Sequence, residues 1–163
     1  MDKIFSTKVE KLPLRIGVGI VLLNNINQVF VGRRIDNPKN YWQMPQGGVD
    51  NHENFLQAAK RELEEETGIK STKLITRING WLKYDLPKNL LGKIWKGKYR
   101  GQKQRWFIMR FLGKDSEINV NTKKPEFFDW RWIKPSEVTS IVVNFKLDVY
   151  KELKKELDVL NIN

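Results

Sequence analysis

The sequence predicts an α+β domain in which a central mixed sheet carries a helix on each face. Three observations lead there. Five segments, at 16–23, 28–34, 74–81, 105–112 and 127–132, are rich in branched and aromatic apolar residues between turn signals and read as strands. Two others, 54–67 and 147–160, carry apolar residues at helical spacing. The chain has 163 residues, with 40% hydrophobic content, 11% aromatics and a mean hydropathy of −0.55. That suits one domain spanning 1–163, folded by burial alone.

The first strand runs Ile16-Gly17-Val18-Gly19-Ile20-Val21-Leu22-Leu23 and meets a polar turn at Asn24 to Asn27. It is far shorter than the ~20 residues of a membrane span, and no small-residue cleavage site follows it, so neither a membrane anchor nor a signal peptide is expected. The alternating stretch 28–34 completes a hairpin. A loop is expected through Asp36-Asn37-Pro38-Lys39-Asn40, and a tight glycine-dependent loop with no long regular element through Tyr41 to Gly48. The helix at 54–67 has Leu56, Ala59 and Leu63 on one stripe, and Gly68 closes it. After the strand at 74–81 comes a long basic loop, 86–104, of the kind that borders functional sites. In the last helix Val149, Tyr150, Leu153, Leu157 and Leu160 form one face opposite Lys151, Lys154 and Lys155. Docking on the core is its favoured reading, and a membrane-surface helix is the alternative.

Composition narrows the chemistry. The absence of cysteine excludes a disulfide partner, a thiolate metal site and a Cys nucleophile. Thirty Lys and Arg against 19 Asp and Glu leave a net charge of +11 and a pI near 9.8, which favours polyanionic partners. An AT-rich coding sequence would enrich lysine as well. Against that background Glu53, Glu62, Glu64, Glu65 and Glu66 crowd into one stretch. Glu62, Glu65 and Glu66 are three and four residues apart and share a helix face. The Glu62/Glu66 repulsion costs about 0.2–0.5 kcal/mol, and the helix dipole disfavours carboxylates near its C-terminus. A solvated acidic face paired with Arg61 or nearby lysines is the plain alternative. Glu66, however, lies beside the apolar stripe, and Gly47-Gly48 lets backbone carbonyls approach. A hard divalent cation bound by oxygen ligands would then reverse the sign of the repulsion.

Gly47, five residues, Glu53, seven residues, then Arg61-Glu62-Leu63-Glu64-Glu65-Glu66-Thr67-Gly68-Ile69 matches the Nudix box at every fixed position. The chain therefore resembles the Nudix hydrolases. The likeness implies their fold, an α/β/α sandwich with a mixed sheet between helices and the box as a loop-helix-loop. Further segments resemble the bacterial RNA pyrophosphohydrolases and the plant-type dinucleoside polyphosphate hydrolases. They are Arg15, Trp42 to Gly48, Trp81 to Pro87, Gly101 to Phe107, Pro125 to Phe127, Trp130 to Trp132 and Val143 to Lys146. Met44 stands where an aromatic residue is expected, and Asn144 where a serine is.

By that resemblance Glu62, Glu65 and Glu66, with the Gly47 carbonyl, hold Mg²⁺ or Mn²⁺, and Glu126 completes the site. Glu53 orients the box through Arg61. Glu65 is the first candidate for the base that takes the water proton, and Glu126 the second. Arg15, Arg33, Arg34, Lys83 and Lys103 are candidate phosphate contacts, and Tyr84 and Gln104 are further substrate contacts. Phe145 resembles the aromatic that stacks on the first base, though as a residue starting the last helix it could equally be core. The implied reaction removes pyrophosphate from the 5′ end of triphosphorylated RNA, leaves a 5′-monophosphate and initiates transcript decay. A dinucleoside polyphosphate hydrolase is the nearest alternative, and a catalytically silent RNA-binding domain and a nucleotide-sanitising enzyme are more distant ones. A cytoplasmic monomer is expected.

Overall fold

The apolar run near the N-terminus becomes the centre of the sheet. In the computed structural model, which describes residues 8–36 and 39–163, β1 (Leu14–Leu23) is buried from Gly17 onward. Burial on both faces is why it is a continuous apolar run and not an alternating one. It pairs in parallel with β7 (Gly101–Phe111), from Leu14 opposite Gly101 to Leu23 opposite Arg110.

The predicted hairpin forms at its turn only. The Asn24 side-chain oxygen accepts from the Gln28 backbone N–H at 2.9 Å, and Leu23 pairs with Val29 at the start of β2 (Val29–Arg34). Beyond that rung β1 and β2 take other partners. β3 (Trp42–Gln43) joins β2, and β4 (Gln46–Gly48) joins β1 with Gly17 opposite Gly48. The tight loop expected here has no long regular element, but it contributes two very short strands to the sheet. Asn37 and Pro38 of the expected loop lie outside the described residues.

Two expected boundaries shift. β5 (Thr72–Arg77) ends before residue 81, because Gly80, at φ 78°, turns the chain into β6 (Leu82–Asp85). β5 and β6 then pair one after the other along the same edge of β7, which starts at Gly101 and shortens the basic loop to 86–100. β8 (Phe127–Ile133) runs along β2.

Helix α1 (Phe55–Thr67) covers one face, where Ala58, Ala59 and Leu63 meet Val18, Ile20, Leu22, Phe30, Phe107 and Met109. Asn54 caps it reciprocally with Gln57, at 2.8 and 3.0 Å, and Gly68 ends it at φ 72°. Helix α2 (Leu147–Val159) covers the other face, with Val149, Tyr150, Leu153 and Leu157 packed on Val21, Leu23, Trp106 and Ile108. Those four residues of its apolar stripe are therefore used in the core, whereas Leu160, predicted with them, lies past the helix end and is 38% exposed. No helix among the described residues is long and apolar enough to cross a membrane. The Tyr150 hydroxyl accepts from the Met44 backbone N–H at 2.7 Å and ties α2 to the turn between β3 and β4.

Candidate active site

In the second half of α1 the Glu62 carboxylate lies against β4. A Cβ on Gly47 would lie 2.0 Å from the Glu62 carboxyl carbon, so any side chain there would displace the carboxylate from its place over the strand. Burial holds the Glu62 pKa above its ordinary value despite the neighbouring Arg61.

Arg61 binds most of the remaining acidic groups together. Its guanidinium donates to both oxygens of Glu53 at 2.8 and 2.9 Å, to Glu62 at 3.0 Å, to Glu65 at 3.1 Å and to the Gly48 carbonyl at 3.0 Å. Glu53 also accepts from the Asp50 N–H at 2.9 Å. The hydrogen bond from Arg61 pulls the Glu53 pKa down. One planar fork thus braces the glycine loop against the helix.

Glu66 is treated in the opposite way. It is only 2% exposed, no N–H or hydroxyl group donates to either carboxylate oxygen, and its close neighbour is another carboxyl group, that of Glu126. Burial, then the Glu126 carboxylate facing it, raises its pKa well above the ordinary value; Glu62 adds to this and Arg34 offsets it in part. Carboxylates that crowd without donors form an oxygen-only set that suits a hard divalent cation. Among the described residues no three acidic or imidazole groups already form a metal cage, and Glu65 is turned to Arg61.

Gly47, Glu62 and Glu126 border a cavity of about 720 Å³, which Arg15, Arg34 and Lys146 also line. Arg34 makes a bidentate pair with Asp36, both bonds 2.7 Å. Arg15 stacks on Trp95 at 5.3 Å, and Tyr84 and Phe145 face each other at 5.6 Å on the same cavity.

Of the predicted substrate contacts, Arg15, Arg34, Tyr84 and Phe145 line this cavity, and four others do not. Arg33 lies over the Phe128 ring at 4.6 Å. Gln104 is buried, accepts from the Trp106 indole N–H at 2.9 Å and donates to Gln102 at 2.7 Å and Gln46 at 3.1 Å, so its amide is spent on bracing strands. Lys83 and Lys103 pair across β6 and β7 on the sheet face opposite to Gln102 and Gln104. Of the predicted metal and catalytic groups Gly47, Glu62 and Glu126 line the cavity. Glu66 is coupled to Glu62 and Glu126, while Glu53, Arg61 and Glu65 form the brace.

The sequence reading missed Lys146, which is 6% exposed and donates to Gln43 at 3.1 Å. Burial, and after it the charge of Arg34, lowers its pKa to about 7, against the pull of Glu66, Asp36 and Glu126. Its only sequence signal is its place beside Phe145.

The NUDIX domain family matches residues 13–153. The chain belongs to the Nudix family. Curated relatives include an RNA pyrophosphohydrolase of Pelagibacter ubique, 63% identical over 151 residues, covering 92% of this chain and 96% of the relative. Another, from Rickettsia canadensis, is 47% identical and covers 95% and 96%. Among solved structures, the E. coli dihydroneopterin triphosphate pyrophosphohydrolase shares the Nudix fold at a TM-score of 0.69 and 19% identity, covering 90% of this chain and 99% of that one. A C. elegans Ap4A hydrolase does so at 0.61 and 18%, covering 87% and 98%. Nudix hydrolases generally depend on divalent metal, and the oxygen-only set around Glu66 fits that requirement.

Proposed function

We propose that this Nudix protein is a metal-dependent RNA pyrophosphohydrolase, which splits a phosphoric anhydride bond at the 5′ end of triphosphorylated RNA and leaves a 5′-monophosphate. The observation that carries the reading is Glu66, a buried carboxylate with no donor, beside a cavity walled by Arg15, Arg34 and Lys146. The likeness to RNA pyrophosphohydrolases over nearly the whole chain supports RNA as the substrate.

Glu66, Glu62 and Glu126, with the Gly47 carbonyl, would hold Mg²⁺ or Mn²⁺, which neutralises phosphate oxygens and activates water when bound. Arg15 and Arg34 bind the polyphosphate through planar N–H donors, and Lys146 adds a positive charge once the substrate is near it. Tyr84 and Phe145 take the first base. Glu126 accepts the water proton in preference to Glu65, because it lines the cavity while Glu65 is held by Arg61. Glu53 and Arg61 keep the loop and helix in register. One domain, acting as a monomer in the cytoplasm where transcripts are met, suffices for the reaction.

The test is to offer purified protein 5′-triphosphate RNA and diadenosine tetraphosphate side by side and compare kcat/KM and products. Preference for RNA with release of pyrophosphate supports the reading. A higher kcat/KM on the dinucleotide contradicts it.

A further inference from the structure

Outside the cavity, on the α1 side of the sheet, the edge formed by β6 and β7 carries a second concentration of positive charge. Arg105 lies 4.1 Å above the Trp81 ring, and the Lys103 ammonium 4.8 Å from it. Phe55, the first residue of α1, meets Trp81 edge-on at 5.5 Å. Lys83 is directly opposite Lys103, and so is Ile16, which is 45% exposed. Arg77 lies over Phe107 at 5.7 Å.

None of these four cations has a carboxylate partner among the described residues, whereas nearby Arg100 is paired with Asp85 at 2.6 Å. A guanidinium stacked on indole keeps its N–H donors in its own plane, directed outward and unspent. Its free face can stack a base. None of these residues lines the cavity. Across the sheet, however, Arg105 is opposite Val18, and Val18 is opposite Gly47. Two strand spacings, about 10 Å, separate the strip from the glycine under Glu62.

We infer that Trp81, Lys103 and Arg105, with Lys83 and Arg77, form a second binding surface that holds the single-stranded RNA body beyond the nucleotides in the cavity. This rests on the RNA reading above. Phosphates meet the outward N–H groups while bases stack on the Arg105 plane, which gives affinity without sequence choice. The surface is basic and aromatic, a composition that suits single-stranded nucleic acid better than an apolar protein face.

The test compares a triphosphorylated dinucleotide with a triphosphorylated RNA of about twenty nucleotides on wild type and K103Q/R105Q, with melting curves to show that the variant folds. The expected result is a KM about tenfold higher for the long RNA alone, kcat unchanged, and a salt slope shallower by about 1.4, or 0.7 for each phosphate no longer neutralised. R105K, which keeps the charge but not the planar stack, should fall in between. On wild type, a 5′-hydroxyl RNA of the same length should inhibit hydrolysis of the long substrate and spare the dinucleotide. Equal KM for the two lengths on wild type, equal losses for both in the variant, or equal inhibition overturns the strip, the first result leaving it to a protein partner. Hydrolysis of neither triphosphate overturns the RNA reading itself, and the strip with it.

Discussion

Two acidic groups on the same helix, four residues apart, are treated oppositely by the fold. Glu62 shares the guanidinium of Arg61 with Glu53 and Glu65, and every nitrogen of that fork has an acceptor. Glu66 is buried with no N–H or hydroxyl donor to either oxygen, near a lysine whose pKa has fallen to about 7. The donors of Arg61 are all satisfied without ligand, and that pairing stabilises the fold while leaving the second Glu62 oxygen beside Gly47. The unpaired region costs stability until something bound supplies the missing partners.

The largest effect is expected at Glu66. E66Q should lower kcat at least ~10²-fold, as loss of one electrostatic stabiliser does, while making the metal-free protein more stable by about 1 kcal/mol, roughly 2–4 °C in Tm. A carboxylate with a raised folded pKa binds more protons folded than unfolded, so its contribution to stability falls as pH rises from the unfolded pKa through the folded one. Melting of metal-free wild type should show that slope, and E66Q should lack it.

R61M should move stability the other way. It leaves Glu53, Glu62 and Glu65 mutually repelling, and because Arg61 is a quarter exposed the loss is discounted to about 1–3 kcal/mol. Denaturant unfolding would measure it. A Tm equal to wild type would remove the brace from the account.

Lys146 sharpens the contrast by kinetics. Its charged form is disfavoured in the free protein, so KM should rise as pH climbs above about 7 and the proton is lost. K146Q should raise KM about tenfold at pH 6, a loss within the range for a charged hydrogen bond, and flatten that dependence. The smallest effect is expected at Asn54, far from the unpaired groups. N54A should cost about 1 kcal/mol through the lost cap and leave kcat unchanged.

Much of this is legible in the chain itself. Helix α1, its Gly68 stop and the inward course of Glu66 follow from spacing alone, because helical period and capping are local properties. The docking of α2 follows from its stripe. The strands between residues 41 and 85 are less legible: β3, β4 and β6 are two to four residues long and exist only because β1, β2 and β7 offer them edges. Gln104 and Lys103 adjoin in sequence, but the pleat sends one into a buried amide chain and the other to the opposite face. Lys146 gives no signal beyond its place beside Phe145 in the segment Val143 to Lys146, since its depressed pKa arises from burial among groups distant in the chain.

The central claim, that Glu66 is kept unpaired for a bound cation, is tested most directly by melting wild type and E66Q with and without Mg²⁺. Without metal, E66Q should melt above wild type. At a concentration near 100 times Kd, Mg²⁺ should stabilise wild type by about 2.7 kcal/mol, roughly 5–10 °C, and leave E66Q nearly unmoved. If E66Q melts below wild type without metal, or Mg²⁺ raises both by the same amount, the claim is wrong.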